Sequence, residues 1–106
     1  MPLRPALLAA ALLLAAGPAL AETHVVDQAN KKFSATELAV KAGDTVRFVN
    51  KDSITHNVYS QSPGNAFDVK TQKPGESSDV VLKSAGEVEV RCAIHPTMKL
   101  KVTVKD

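Results

Sequence analysis

The stretch GEVEVRCAIHPTMKLKVTVK, at positions 86–105, contains two segments that each alternate apolar and polar residues. The alternation over 87–92 and again over 98–104 is typical of strands with one buried face. The residues at 92–98 then form the loop that joins these two strands. This loop holds the only cysteine of the chain.

The rest of the chain after the first 21 residues also has the character of β-strands separated by turns. Strong turn sequences occur at Ser-Pro-Gly-Asn (62–65) and Lys-Pro-Gly-Glu (73–76), and no segment there has a helical period. We therefore predict an all-β fold, a two-sheet Greek-key sandwich of seven to eight strands. The other strand-forming segments are 23–28, 36–52 with a turn at 42–44, 56–61, 67–72 and 78–83.

Residues 1–21 have the pattern of a secretory signal peptide. Arg4 precedes an apolar run at 6–16, and Ala19-Leu20-Ala21 fits the small-x-small rule for cleavage. The run is too short to cross a hydrocarbon core, which needs roughly 20 apolar residues. We therefore predict that the mature protein is one domain at 22–106, located in the periplasm and without a membrane span.

The composition excludes several classes of function. The formal net charge is only +2, and no basic block with interleaved aromatic residues is present, so nucleic-acid binding has no support. No Ser/His/Asp set or acid pair suggests an enzyme. One cysteine rules out an internal disulfide, so a metal remains as the means of stabilising such a small domain.

The loop residues Cys92, His95 and Met98 follow a Cys-x-x-His-x-x-Met spacing, and all three side chains bind soft metals. A fourth ligand has two candidates, His24 and His56. Zinc rarely uses a thioether, iron–sulfur clusters need several thiolates, and c-type haem needs a second cysteine. Two imidazoles, one thiolate and one thioether form the donor set of a type-1 copper site, which transfers single electrons.

Two segments resemble the cupredoxins, the small blue copper proteins, and within them the amicyanin and plastocyanin-like members. They are VKAGDTVRFVNKDSITHNVYS (40–60) and CAIHPTM (92–98), and the resemblance extends over about 33–104. It implies the cupredoxin sandwich and one copper ion that cycles between Cu(I) and Cu(II). It also implies a ligand set with three equatorial ligands, His56, Cys92 and His95, and the axial ligand Met98.

The resemblance further implies that Asn57 ties the His56 segment to the cysteine loop by hydrogen bonds, which orient metal ligands. The chain departs from the family at three other positions. Val90 replaces an aromatic residue that is frequent two positions before the cysteine. Ile94 and Thr97 replace the proline and phenylalanine common in the amicyanin loop.

His24 has a separate possible role in copper binding. After cleavage it would be the third residue of the chain, where a free amine, two amide nitrogens and an imidazole can chelate Cu(II) in a square plane. We expect instead a solvated histidine that enters the first strand, and we leave it out of the copper site.

The main interpretation is a soluble, monomeric periplasmic electron carrier that is not an enzyme. Its partners would be redox proteins: a dehydrogenase, a cytochrome or an oxidase. The uncharged residues beside His95 favour this interpretation, because an uncharged patch suits brief docking of a redox partner. Two alternatives are a copper-binding protein for storage, delivery or tolerance, and an interaction domain that keeps the ligands without using them.

Overall fold

The structure is a computed structural model that describes residues 20–106. The predicted signal peptide therefore lies almost entirely outside the described residues. In the described part of the chain, no helix is long and apolar enough to cross a membrane. The strands there are β1 (Thr23–Ala29), β2 (Lys32–Phe33), β3 (Glu37–Lys41), β4 (Thr45–Asn50), β5 (Val58–Ser60), β6 (Phe67–Asp68), β7 (Ser77–Val81), β8 (Gly86–Cys92) and β9 (Lys99–Lys105).

The strands form two sheets. One has the order β2-β1-β4-β7 and the other the order β3-β9-β8-β5-β6. Both sheets are mixed, because β1 pairs parallel with β4 and β3 pairs parallel with β9, whereas the other pairs are antiparallel. The predicted all-β fold of two sheets is therefore confirmed.

The core lies between the sheets and follows the alternation in the sequence. In β9 the apolar residues are buried and the lysines are exposed. In β4, Val46 and Phe48 are buried while Arg47 points to solvent. The ring of Phe48 lies between those of Phe33 and Phe67, with centroid distances of 6.3 and 5.9 Å. The contact of Phe48 with Phe67, which lies in β6, joins the two sheets.

The structure differs from the prediction in the short strands. β2 was not predicted, and it brings the described strands to nine rather than seven or eight; β6 has only two of the residues predicted to form a strand at 67–72. The segment predicted to begin a strand at His56 begins one at Val58, and His56 itself makes an isolated bridge to Gln72. The last strand begins at Lys99 rather than Met98.

The pairing of β5, β8 and β9 determines where the candidate site lies. Val58 is opposite Cys92, and Arg91 is opposite Lys99. The loop 92–98 therefore lies at one end of this sheet, beside the residues that precede β5. His56 is one of those residues.

Candidate metal centre

Cys92 is the last residue of β8, and it is almost fully buried. Its Sγ accepts a hydrogen bond from the backbone N–H of Asn57 at 3.3 Å, and the N–H of Ala93 donates to the carbonyl of Asn57 at 3.1 Å. Asn57 thus links the two segments through its backbone. Its side-chain amide instead donates to Asp68 and to the carbonyl of Lys70.

His56 is completely buried and is fixed on three sides. Its backbone exchanges two hydrogen bonds with Gln72, of 3.0 and 2.8 Å. Its Nε2 lies 2.7 Å from Oδ2 of Asp52. Its Nδ1 lies 3.6 Å from Sγ of Cys92. The ring therefore presents one nitrogen to a carboxylate and the other to the thiol.

The carboxylate of Asp52 is held by the turn between β1 and β2. Asn30 and Lys31 occupy the left-handed region, with φ of 53° and 58°, and their N–H groups each donate to Asp52 at 2.9 Å. The bond from Lys31, followed by those from His56 and Asn30, lowers the pKa of Asp52 despite its partial burial. An ionised carboxylate only accepts hydrogen bonds, so Nε2 of His56 is the donor to Asp52, and Nδ1 faces Cys92.

His95 and Met98 complete the set of predicted ligands. Met98 is buried, and its N–H donates to the carbonyl of His95 at 2.9 Å, which closes the loop. The imidazole of His95 meets that of His56 edge to face, with ring centroids 5.1 Å apart. Nε2 of His95 is buried and has no hydrogen-bond partner among the described residues. A buried imidazole nitrogen without a partner fits a metal ligand.

The donors approach one another without forming a closed shell. In residues 20–106, no three His, Cys, Asp or Glu side chains already converge as a metal site. Both the donor set and the unpaired nitrogen fit copper. His24 lies elsewhere, in β1, and the expectation that it is solvated is wrong: its side chain is mostly buried because its Nε2 lies 2.9 Å from Oδ2 of the buried Asp44.

Sequence reasoning did not identify two residues that support His56. Asp52 stands four positions before His56, and no motif in the sequence marks it as a partner of the imidazole. Gln72 is buried far along the chain, and its side chain binds the carbonyl of Phe48 and the amide of Gln28. Asn50 positions the loop that carries Asp52, because its side chain donates to Ile54 and Gln72 and accepts from Asp52.

A two-sheet β-sandwich with a buried thiol, two imidazoles and a thioether at one end has the architecture of the cupredoxins. The family model described as copper binding proteins of the plastocyanin/azurin family matches residues 21–105. The chain belongs to this family.

Individual relatives agree with this assignment. The chain is 38% identical to the methylamine utilization protein MauL of Methylorubrum extorquens over 98 residues, covering 92% of this chain and 86% of that protein. It is 35% identical to amicyanin-alpha of the same organism, covering 94% and 87%. The structure of an oxidised amicyanin variant superposes with a TM-score of 0.72 at 32% identity, covering 78% of this chain and 82% of that chain.

Membership of this family confirms three predictions from the sequence. The protein is a cupredoxin, and its cofactor is one copper ion that cycles between Cu(I) and Cu(II). The amicyanin-like cupredoxins are electron carriers, so the protein is not an enzyme.

We expect Asp52→Asn to raise the reduction potential of the copper protein. Removal of a negative charge beside His56 destabilises Cu(II) relative to Cu(I), and a unit charge at this range contributes on the order of 1 kcal/mol, or about 40 mV for one electron. Voltammetry measures the shift. Asp79→Asn is the control, because Asp79 pairs with the exposed Arg47 on the other sheet. Equal shifts in both variants would show that Asp52 acts only through net charge.

Proposed function

We propose that the protein is a periplasmic carrier of single electrons whose copper ion is bound by His56, Cys92, His95 and Met98. The observation that carries this proposal is the approach of the buried His56 Nδ1 to within 3.6 Å of Cys92 Sγ. Met98, at the other end of the loop that begins at Cys92, is buried as well. Only an ion that accepts both soft and nitrogen donors suits this set.

The residues of the chain explain how such a site would work. A bound copper ion supplies the one-electron chemistry. The thiolate and thioether suit Cu(I), whereas the imidazoles suit Cu(II). His56 is held by Asp52 and Gln72, and Cys92 by Asn57, so these donors move little between the two states. Small rearrangement favours fast electron transfer.

The surface over the loop suits brief contact with a partner. Ala93, Ile94, Pro96 and Thr97 are exposed, with Ile94 at 50%, and the next charge along the chain is Lys99. The guanidinium of Arg91 lies beside this patch, where it donates a hydrogen bond to the carbonyl of Pro96 at 3.3 Å. Weak redox encounters bury little area, so a small patch formed by uncharged side chains is sufficient. We propose a dehydrogenase, a cytochrome or an oxidase as partners. The relative named for methylamine utilization favours a dehydrogenase as the electron donor.

The location follows from the N-terminal sequence. We propose that residues 1–21 direct export and are then removed, which leaves a monomeric domain at 22–106 in the periplasm. This proposal rests on the apolar run and on the cleavage pattern at Ala19-Leu20-Ala21.

We expect Ile94→Glu to slow electron exchange by about tenfold or more, because docking would bury a charge without a partner. Colour and copper content should not change. Stopped-flow mixing with a redox protein measures the rate, and Val81→Glu is the matched control, since Val81 is 48% exposed on the opposite sheet. If copper passes to an acceptor protein faster than electrons do, the protein handles copper instead of carrying electrons.

A further inference from the structure

A buried carboxylate that is not among the candidate copper ligands lies in the turn between β3 and β4. The side chain of Asp44 is only 4% exposed. Its Oδ1 accepts a hydrogen bond from the backbone N–H of Glu22, and its Oδ2 accepts from the backbone N–H of Lys41 and from Nε2 of His24, all at 2.9 Å. Three donors thus converge on one carboxylate.

These hydrogen bonds keep Asp44 ionised. The bond from Glu22 is the largest influence, ahead of those from Lys41 and His24, and together they lower its pKa to about 2. A buried charge is costly unless an opposite charge compensates it. Among residues 20–106, however, the only side chain in an ion pair with Asp44 is His24, a histidine that is charged only when it is protonated.

The backbone nitrogen of Glu22, which donates to Oδ1 of Asp44, is also the atom that cleavage would change. The carbonyl of Glu22 accepts a hydrogen bond from Thr45, so Glu22 is already fixed beside β4, whereas Leu20 is 88% exposed. The cleavage pattern places hydrolysis at the Ala21–Glu22 bond. There, water breaks the C–N bond, and the products are a carboxylate on Ala21 and an amine on Glu22 that is protonated at neutral pH.

We propose that Asp44 is a binding site for the α-ammonium group that processing creates on Glu22. The inference rests on the export part of the proposed function and does not involve copper. Removal of the leader converts the amide N–H of Glu22, which already donates to Asp44, into an ammonium group. Its full positive charge then lies beside the buried carboxylate. Processing would therefore strengthen the contact between the residue that precedes β1 and the turn before β4.

The pairing has a defined pH window. The ammonium contributes stability below its ordinary pKa of about 7.7–8.0, and this is lost as the pH rises through its higher value in the folded protein. Asp44 contributes stability above about pH 4, and this is lost as the pH falls toward 2. The other charged groups here are those of Glu22, His24, Lys41 and Lys105, which line the same cavity.

The test compares two copper-free forms of the domain. One begins at Glu22, and the other keeps Leu20 and Ala21 in front of it, so that its ammonium is displaced by two residues. Each is prepared with and without Asp44→Asn, and intact mass verifies that Glu22 has not cyclised. Thermal melting is followed from pH 2 to pH 10. The pH dependence of amine labelling gives the pKa of the α-amine in the form that begins at Glu22.

We expect this form to melt several degrees higher than the extended form between about pH 4 and pH 7.5. Asp44→Asn should remove the difference, and the α-amine should titrate above the ordinary range. If the melting temperatures are equal and the α-amine titrates normally, the proposal is wrong. If Asp44→Asn does not fold, the titration of the unsubstituted protein decides. An exported protein whose N-terminus is not Glu22 would also overturn the proposal, whatever copper does.

Discussion

Cys92→Ser is expected to abolish the intense visible absorption of the oxidised protein. That absorption arises from charge transfer between a thiolate and Cu(II), and Cys92 is the only thiol in the chain. Copper affinity should fall by more than about 100-fold, because loss of a residue that merely supports a ligand already costs roughly 10–100-fold. Titration with copper under visible spectroscopy measures both effects.

The copper-free form of this variant separates loss of the site from loss of the fold. A serine hydroxyl is close in size to the thiol and can still accept the N–H of Asn57. The free energy of unfolding should therefore fall by only about 1–2 kcal/mol. A variant that remains folded, binds copper tightly and is still blue would contradict the ligand assignment.

Much of the fold could be predicted because two sheets impose a period of two on their strands. In β9 the alternation is complete, and in β4 the buried Val46 and Phe48 flank the exposed Arg47. The limits of β2 and β6 could not be predicted in this way. Two-residue strands carry no period, and they exist because a neighbouring strand offers hydrogen bonds.

The candidate site also has a part that could be predicted from the sequence and a part that could not. Cys92, His95 and Met98 lie within one short loop, so their spacing alone brings them close together. The contact of His56 with Asp52 depends on the turn at Asn30 and Lys31, which comes from the other sheet. No local pattern in the sequence encodes that approach. The same holds for the carboxylate of Asp44, because two of its three donors, Glu22 and His24, come from the N-terminal end of the domain.

The aromatic contacts in the core predict the largest loss of stability. Phe48 is 1% exposed, and its ring packs against those of Phe33 and Phe67. Truncation to alanine removes the buried ring and leaves a cavity that rigid strands cannot close. The free energy of unfolding should fall by about 3–5 kcal/mol, a large part of the roughly 5–15 kcal/mol typical of a domain.

Thermal melting of the copper-free protein measures this loss, since bound metal would stabilise the folded state and mask it. For a domain of this size, we expect Phe48→Ala to lower the melting temperature by roughly 15–30 °C. Phe67→Ala should cost less, because Phe67 is only half-buried. Val25→Ala is the surface control, since Val25 is 57% exposed and its loss should change the free energy by about 0.5 kcal/mol or less. If Phe48→Ala is no more destabilising than Val25→Ala, the ring does not join the two sheets and the packing between them is wrong.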